Sequence, residues 1–230
     1  MDRIQYLSQF NLMHSLSESD LIEMDKLTVI TTVPKHTFIQ TPDTFIETLY
    51  FIKKGKVRLY RLSEEGKQFT LDILGEGNIF GEMEEFSLGT RGLFIETIVE
   101  SDICMMDKER FRTYVIQHPQ FMMNMLKAIS ERLSNMSSLA QNLALGKLHD
   151  KIIHALIELF SRFGVWDESC EFGKIDMPLS HAEIAHLVGA SREAVSIALK
   201  ELADSGVLQV GFRSIALHRD VLTEQNGFHL

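Results

Sequence analysis

The sequence predicts an α+β fold: a run of short strands closed into a small barrel or sandwich, a long helix, and a helical domain that ends in a hairpin. Three observations carry this. Short apolar or alternating runs separated by glycine-bearing turns recur from about Thr28 to Asp107. An apolar stripe in steps of four and three runs from Met122 to Leu143. Two helical patterns then meet at Gly189.

Ahead of the strands, Ser15 to Leu27 reads as a short helix opened by Ser17-Glu18-Ser19-Asp20. Strands are expected at Leu49-Tyr50-Phe51-Ile52, Val57 to Leu62, Phe69 to Leu74 and Ile95 to Met105. Turns are expected at Lys54-Gly55-Lys56, Glu64-Glu65-Gly66-Lys67, Gly75-Glu76-Gly77-Asn78 and Gly89-Thr90-Arg91-Gly92. The long helix places Met122, Leu126, Ile129, Leu133, Met136, Ala140 and Leu143 on one seam, with Lys127, Glu131, Arg132 and Asn135 between them. Such a seam either lies on the chain's own barrel or pairs in a two-stranded parallel coiled coil, and a homodimer is the expectation. Gly146 interrupts this helix, and Asp150 is placed to cap a new one over Lys151 to Arg162. The joint at residues 146–150 is a candidate hinge between domains.

The stretch Leu179 to Lys200 has the layout of a helix-turn-helix. Ser180 followed by Glu183 forms a capping box, whereas Ser191 followed by Ala194 is a cap without the return bond. Ala185 is small where two helices cross, and Gly189 supplies the positive φ of the turn. The second helix would then project Arg192, Glu193 and Ser196 outward, residue types that read base edges. Ser180, His181, Ser191 and Lys200 suit phosphates, through hydroxyls, helix N-termini or charge. Val207 to Leu217 folds as a hairpin wing with Arg213 at its tip, near a DNA backbone.

Bulk properties narrow the classes. The 230 residues carry a formal net charge of −9, which disfavours a general polyanion binder but allows a few cations on one docking face. No apolar run approaches the roughly 20 residues of a membrane span, and the first residues lack a signal-peptide layout, so a cytoplasmic location is expected. Cys104 and Cys170 are too few for an iron–sulfur or zinc site and are expected to be packed as small apolar groups. No P-loop, nucleophile elbow or HExxH stretch occurs; neither an enzyme nor a cofactor nor a bound metal is expected.

With these three parts in this order, the chain resembles the CRP/FNR superfamily of bacterial transcription regulators over nearly its whole length. Gly189-Ala190-Ser191-Arg192-Glu193-Ala194-Val195 and Gly75-Glu76-Gly77-Asn78-Ile79-Phe80-Gly81-Glu82 carry the resemblance most specifically. It implies a jelly-roll-like β-roll sensor domain over 1–118, a dimerisation helix over 119–145, a hinge over 146–150 and a winged helix-turn-helix over 151–230. It also implies a homodimer on a roughly palindromic double-stranded DNA operator, with RNA polymerase as a further partner. Arg192 and Glu193 match the base-reading pair of the cyclic AMP receptor branch, and Ser196 matches a base-contacting serine of the FNR branch. Ile197 departs from both, where a second arginine is usual.

The sensor half departs further. Gly81-Glu82 is followed by Met83-Glu84-Glu85-Phe86, where Glu82, Glu84 and Glu85 read as a capped, solvated helix start. The arginine and hydroxyl that would hold a cyclic phosphate fall on Phe94 and Ile95. Arg91, displaced by a loop insertion, is the cation left to stand in. Gly81, Glu82, Arg91, Phe94 and Ile95 therefore mark the candidate effector pocket; control by cyclic AMP is not expected, which leaves an unidentified small molecule, a partner protein, or activity without any ligand. His14, His36 and His118 are weak candidates for a haem ligand. A second reading makes the chain a metabolite- or nucleotide-sensing module that regulates a partner protein.

Overall fold

A computed structural model describes residues 29–84, 86–166 and 170–226, so the helix expected over Ser15 to Leu27 lies outside the described residues. The chain divides into two compact units, the main division falling within the long helix between Met136 and Ser137, with Lys67–Phe69 grouped in the second unit.

The first unit is built on β1 (Val29–Val33), β2 (Phe38–Gln40), β3 (Thr48–Lys54), β4 (Lys56–Leu62), β5 (Gln68–Gly75), β6 (Ile79–Met83), β7 (Phe86–Ser87), β8 (Phe94–Thr97) and β9 (Ser101–Asp107). They form two sheets, in the orders β1-β9-β3-β6-β7 and β2-β8-β4-β5, in a jelly-roll-like arrangement. The alternation of side chains along β3 fills two cores at once. Tyr50 and Ile52 join Leu59, Phe80, Ile95 and Ile103 in one core, with Tyr50 stacked on Phe80 at 4.7 Å. Leu49 and Phe51 point the other way, into a core with Phe111, Tyr114, Phe121 and Met125 from the following helices. The expected single strand over Ile95 to Met105 is two strands in different sheets. Between them, the Ile98 amide donates to the Lys56 carbonyl at 2.8 Å and the Ser101 hydroxyl donates to the Val99 carbonyl at 2.8 Å, which bends the chain from one sheet to the other.

Helix α1 (Lys108–Gln117) is opened by the Asp107 carboxylate, which accepts from the Arg110 amide at 2.9 Å. Helix α2 (Pro119–Leu145) carries two apolar stripes. Phe121 and Met125 are buried in the β-roll core, and Ile129 packs against it, so Ile129 belongs to this inner stripe as well as to the expected seam. Leu126, Leu133 and Met136 stand exposed on the outer one. Met122 and Leu143 are half-buried and Ala140 is exposed.

Helix α3 (Leu148–Phe163) begins earlier than the sequence suggests. The Asp150 carboxylate accepts from the Lys147 amide at 3.1 Å, which places Asp150 in the first turn as the return half of a cap and not as the N-cap. Residues 148–150 are thus helical, and only Gly146 and Lys147 separate α2 from α3. The second unit continues with β10 (Gly164–Val165), β11 (Phe172–Ile175), α4 (His181–Val188), α5 (Arg192–Asp204), β12 (Leu208–Gly211), β13 (Ser214–His218) and α6 (Arg219–Asn226). Its sheet runs β10-β11-β13-β12. Ile152, Leu156, Ile184, Val195, Leu199, Leu208 and Leu217 are all buried.

Candidate nucleic-acid interface and effector site

The turn between α4 and α5 follows from local chemistry. The Ser180 hydroxyl accepts from the Glu183 amide at 3.2 Å, and the Glu183 carboxylate accepts in return from the Ser180 amide. Gly189 closes α4 in the left-handed region at φ 67°, its amide donating to the Ala185 carbonyl. The Ser191 hydroxyl accepts from the Ala194 amide at 3.2 Å and starts α5, with no return bond from Ala194. Ile184, Ala185, Val188, Val195, Ala198 and Leu199 are buried between the helices.

On the outer face of α5, Ser191, Arg192, Glu193 and Lys200 are exposed, as expected. Ser196 differs. Its hydroxyl donates to the Arg192 carbonyl at 2.8 Å and lies 2.8 Å from His181 Nδ1, so the residue expected to meet a base and one expected to meet a phosphate are within hydrogen-bond distance of each other. The two meet because the first turn of α4 faces the second turn of α5. Arg213 sits at the tip of the β12–β13 hairpin with φ 50°, but its guanidinium turns back to within 3.5 Å of the Glu183 carboxylate. Its neighbour Phe212 is 96% exposed, and Ile197 on α5 is 62% exposed. Ile197 stands where the resemblance places a second arginine, and the exposure of Phe212 carries no sequence signal. The two-residue turn offers Phe212 no sheet face to pack on, and Ile197 directly follows Ser196 on the outer face.

In the first unit, Gly81 and Glu82 lie on β6, and the expected helix start is instead a turn at Glu84 leading into β7. Glu82 is buried, not solvated: Oε1 accepts from the Arg91 amide at 2.6 Å, and Oε2 lies 3.5 Å from Arg91 Nε. Arg91 is also 3.8 Å from the Glu47 carboxylate, and its guanidinium sits 4.7 Å from the centre of the Phe45 ring. Glu84 is exposed and bonded to Lys108. That hydrogen bond lowers the Glu84 pKa and raises that of Lys108. Glu85 lies outside the described residues.

Phe94 and Ile95 do not join Glu82 and Arg91. Ile95 is wholly buried among Tyr50, Ile52, Leu59 and Phe80, and the half-buried Phe94 ring stacks on Tyr60 at 5.3 Å, because β8 lies between β2 and β4 in the other sheet. Gln40 and Thr90 were missed. The buried Gln40 amide donates to the Thr90 carbonyl at 2.9 Å, while Gln40 Oε1 and Thr90 Oγ1 have no hydrogen-bond partner among the described residues. A glutamine ending a strand carries no sequence signal that it will be buried. Of the histidines that were weak candidates for a haem ligand, His36 Nδ1 is 3.3 Å from the Glu96 carboxylate, His118 stacks on Tyr114, and His14 lies outside the described residues. Cys104 is packed in the core as expected, but Cys170 is exposed, a correction to its expected packing. Among the described residues, no helix is long and apolar enough to cross a membrane.

Comparison with known proteins agrees with this geometry. Residues 30–118 match the cyclic nucleotide-binding domain family, and residues 150–224 match the Crp-like helix-turn-helix domain family. A CRP-like cAMP-activated global transcriptional regulator of Mycobacterium tuberculosis is 29% identical over 171 residues, 74% of this chain and 75% of its own. A global nitrogen regulator of a Nostoc species is 26% identical over 84% of this chain and 86% of its own. Among solved structures, a CooA mutant from Carboxydothermus hydrogenoformans superposes with a TM-score of 0.75 at 24% identity, covering 95% of each chain. The c-di-GMP responsive global regulator CLP of Xanthomonas campestris gives 0.72 at 23% identity, covering 88% of this chain and 99% of its own.

Proposed function

Since the chain belongs to the CRP/FNR superfamily of transcription regulators, we propose that it works as a homodimer on a roughly palindromic operator, each protomer placing α5 in one half-site, under control of a signal other than cyclic AMP. The observation that carries the DNA-reading part is the capped α4–α5 unit, which presents Arg192 and Glu193 from the first turn of α5 to solvent. At that position a rigid helix N-terminus offers a guanidinium for guanine and a carboxylate for cytosine. Ser191 and Lys200 flank them as phosphate contacts, with Ser180 and Arg213 at the edges. His181 acts chiefly by holding Ser196. This row favours operator reading over a module that only regulates a partner protein.

The dimer is attributed to the exposed Leu126, Leu133 and Met136, with Met122, Ile129, Ala140 and Leu143 completing the seam on 119–145. The sensor domain is assigned to 1–118 and the DNA-binding domain to the residues after the Gly146-Lys147 joint, and bound DNA would present the protein to RNA polymerase. The departure from cyclic AMP rests on Glu82 and Glu47, which already engage the Arg91 guanidinium and would oppose a third anion beside it.

Selection of bound fragments from random DNA, followed by gel shift, tests the core of this reading. It should return an inverted repeat, and Arg192→Ala should weaken binding about 10- to 100-fold per half-site and relax one base pair. Unaltered affinity and base preference would remove Arg192 from the interface. Titration calorimetry with cyclic AMP should give no binding heat, and operator affinity should not change when the nucleotide is added; a tenfold gain would overturn that part alone.

A further inference from the structure

We propose that Ile197 is a specificity-determining residue that recognises the methyl group of a thymine in each operator half-site; the inference rests on reading α5 as the operator helix. Three observations converge on this side chain. Ile197 is 62% exposed in the middle of α5. It lies four residues after Glu193, so these two exposed side chains are neighbours on the outer face of the helix. The inward positions around it are already filled by the buried Val195, Ala198, Leu199 and Leu202, so it does not serve the core.

A large β-branched side chain in a row of charged residues has little polar chemistry to offer. Its one gain on docking is to leave water against another apolar group. The major groove presents donors and acceptors on every base edge, but one apolar group only, the thymine C5 methyl. Cytosine lacks that methyl, and a purine edge would leave its polar atoms facing hydrocarbon. The neighbouring hydroxyl does not compete, because Ser196 is held between His181 and the Arg192 carbonyl. Ile197 is also stiff about χ1, which lets it select one position instead of sweeping over several.

The test replaces each operator thymine in turn by deoxyuridine, which removes the methyl and leaves base pairing unchanged. At one position per half-site, wild-type binding should fall about fourfold, the worth of one buried methyl-sized group. Ile197→Ala should bind the thymine operator correspondingly less well and no longer distinguish thymine from deoxyuridine there. Ile197→Arg should move the preference at that position towards guanine. Wild-type indifference to every deoxyuridine, while Arg192→Ala still weakens binding, overturns the role of Ile197 and leaves the operator reading standing. Retention of thymine discrimination by Ile197→Ala also overturns it. If wild-type protein selects no duplex at all, the reading of α5 falls and this inference falls with it.

Discussion

Gly81 shows how much one residue constrains the sensor unit. Its φ is 116°, and a Cβ placed there would come within 2.2 Å of the Thr48 carbonyl oxygen on the paired strand β3. That atom belongs to the backbone of a buried strand and has nowhere to go. Gly81→Ala is expected to cost roughly 2–4 kcal/mol in denaturant unfolding, combining backbone strain with displaced packing. Gly66, at φ 78° with open space around it, is the control: its alanine variant bears the backbone cost alone, about 1 kcal/mol. Thr90 works the other way. Its buried hydroxyl has no partner among the described residues, so Thr90→Val should be neutral or stabilising by up to about 1 kcal/mol in the unliganded protein. Residues whose role is set within a turn or two were legible in the sequence: the Ser180–Glu183 box, the Ser191 cap and Gly189. Ser196 and Glu82 were not, because the orientation of each depends on a group brought close only by folding, His181 for one and the Arg91 amide for the other.

At the level of elements, α2 is the part whose periodicity says most and least. Steps of four and three located a helix and an apolar seam, yet they cannot separate a stripe that packs on the chain's own β-roll from one that faces outward. The structure separates them: Phe121 and Met125 are buried, and Leu133 is 68% exposed. The two stripes should therefore respond differently to substitution. Leu133→Asp is expected to leave the protomer folded by circular dichroism but to shift its mass by light scattering from dimer to monomer, with operator binding lost alongside. A dimer that survives this change would place the interface elsewhere. Phe121→Ala should instead destabilise the protomer by about 3–5 kcal/mol, since it removes a large side chain from a closed core. Strands long enough to show an apolar or alternating run, such as β3 and β4, were legible; β7 and β10, of two residues each, were not, because pairing partners and not local pattern define them.

The whole molecule faces an electrostatic problem, since an acidic chain must approach a polyanion. The net charge is −9, and in Lys147 to Leu230 four Lys and four Arg stand against five Asp and seven Glu, a formal net of −4. Affinity for DNA in general is thereby kept low, and the few cations at the α4–α5 face and the wing gain weight in choosing a site. One of them is already paired: Arg213 lies against Glu183, and in the proposed docking it would exchange that carboxylate for a phosphate. With Lys200 and Arg213 as the charged phosphate contacts, a dimer neutralises about four phosphates, and the slope of log affinity against log salt should be about −4. Lys200→Ala should reduce that slope by about two, one contact per protomer, while leaving base preference unchanged. Arg213→Ala should also reduce it, and the Glu183 carboxylate left without its guanidinium should weaken binding most at low salt, where its repulsion of the backbone is least screened. A slope near −10 for the wild type would mean that a broad basic surface dominates binding, and this picture of a few cations on an acidic body would have to be abandoned.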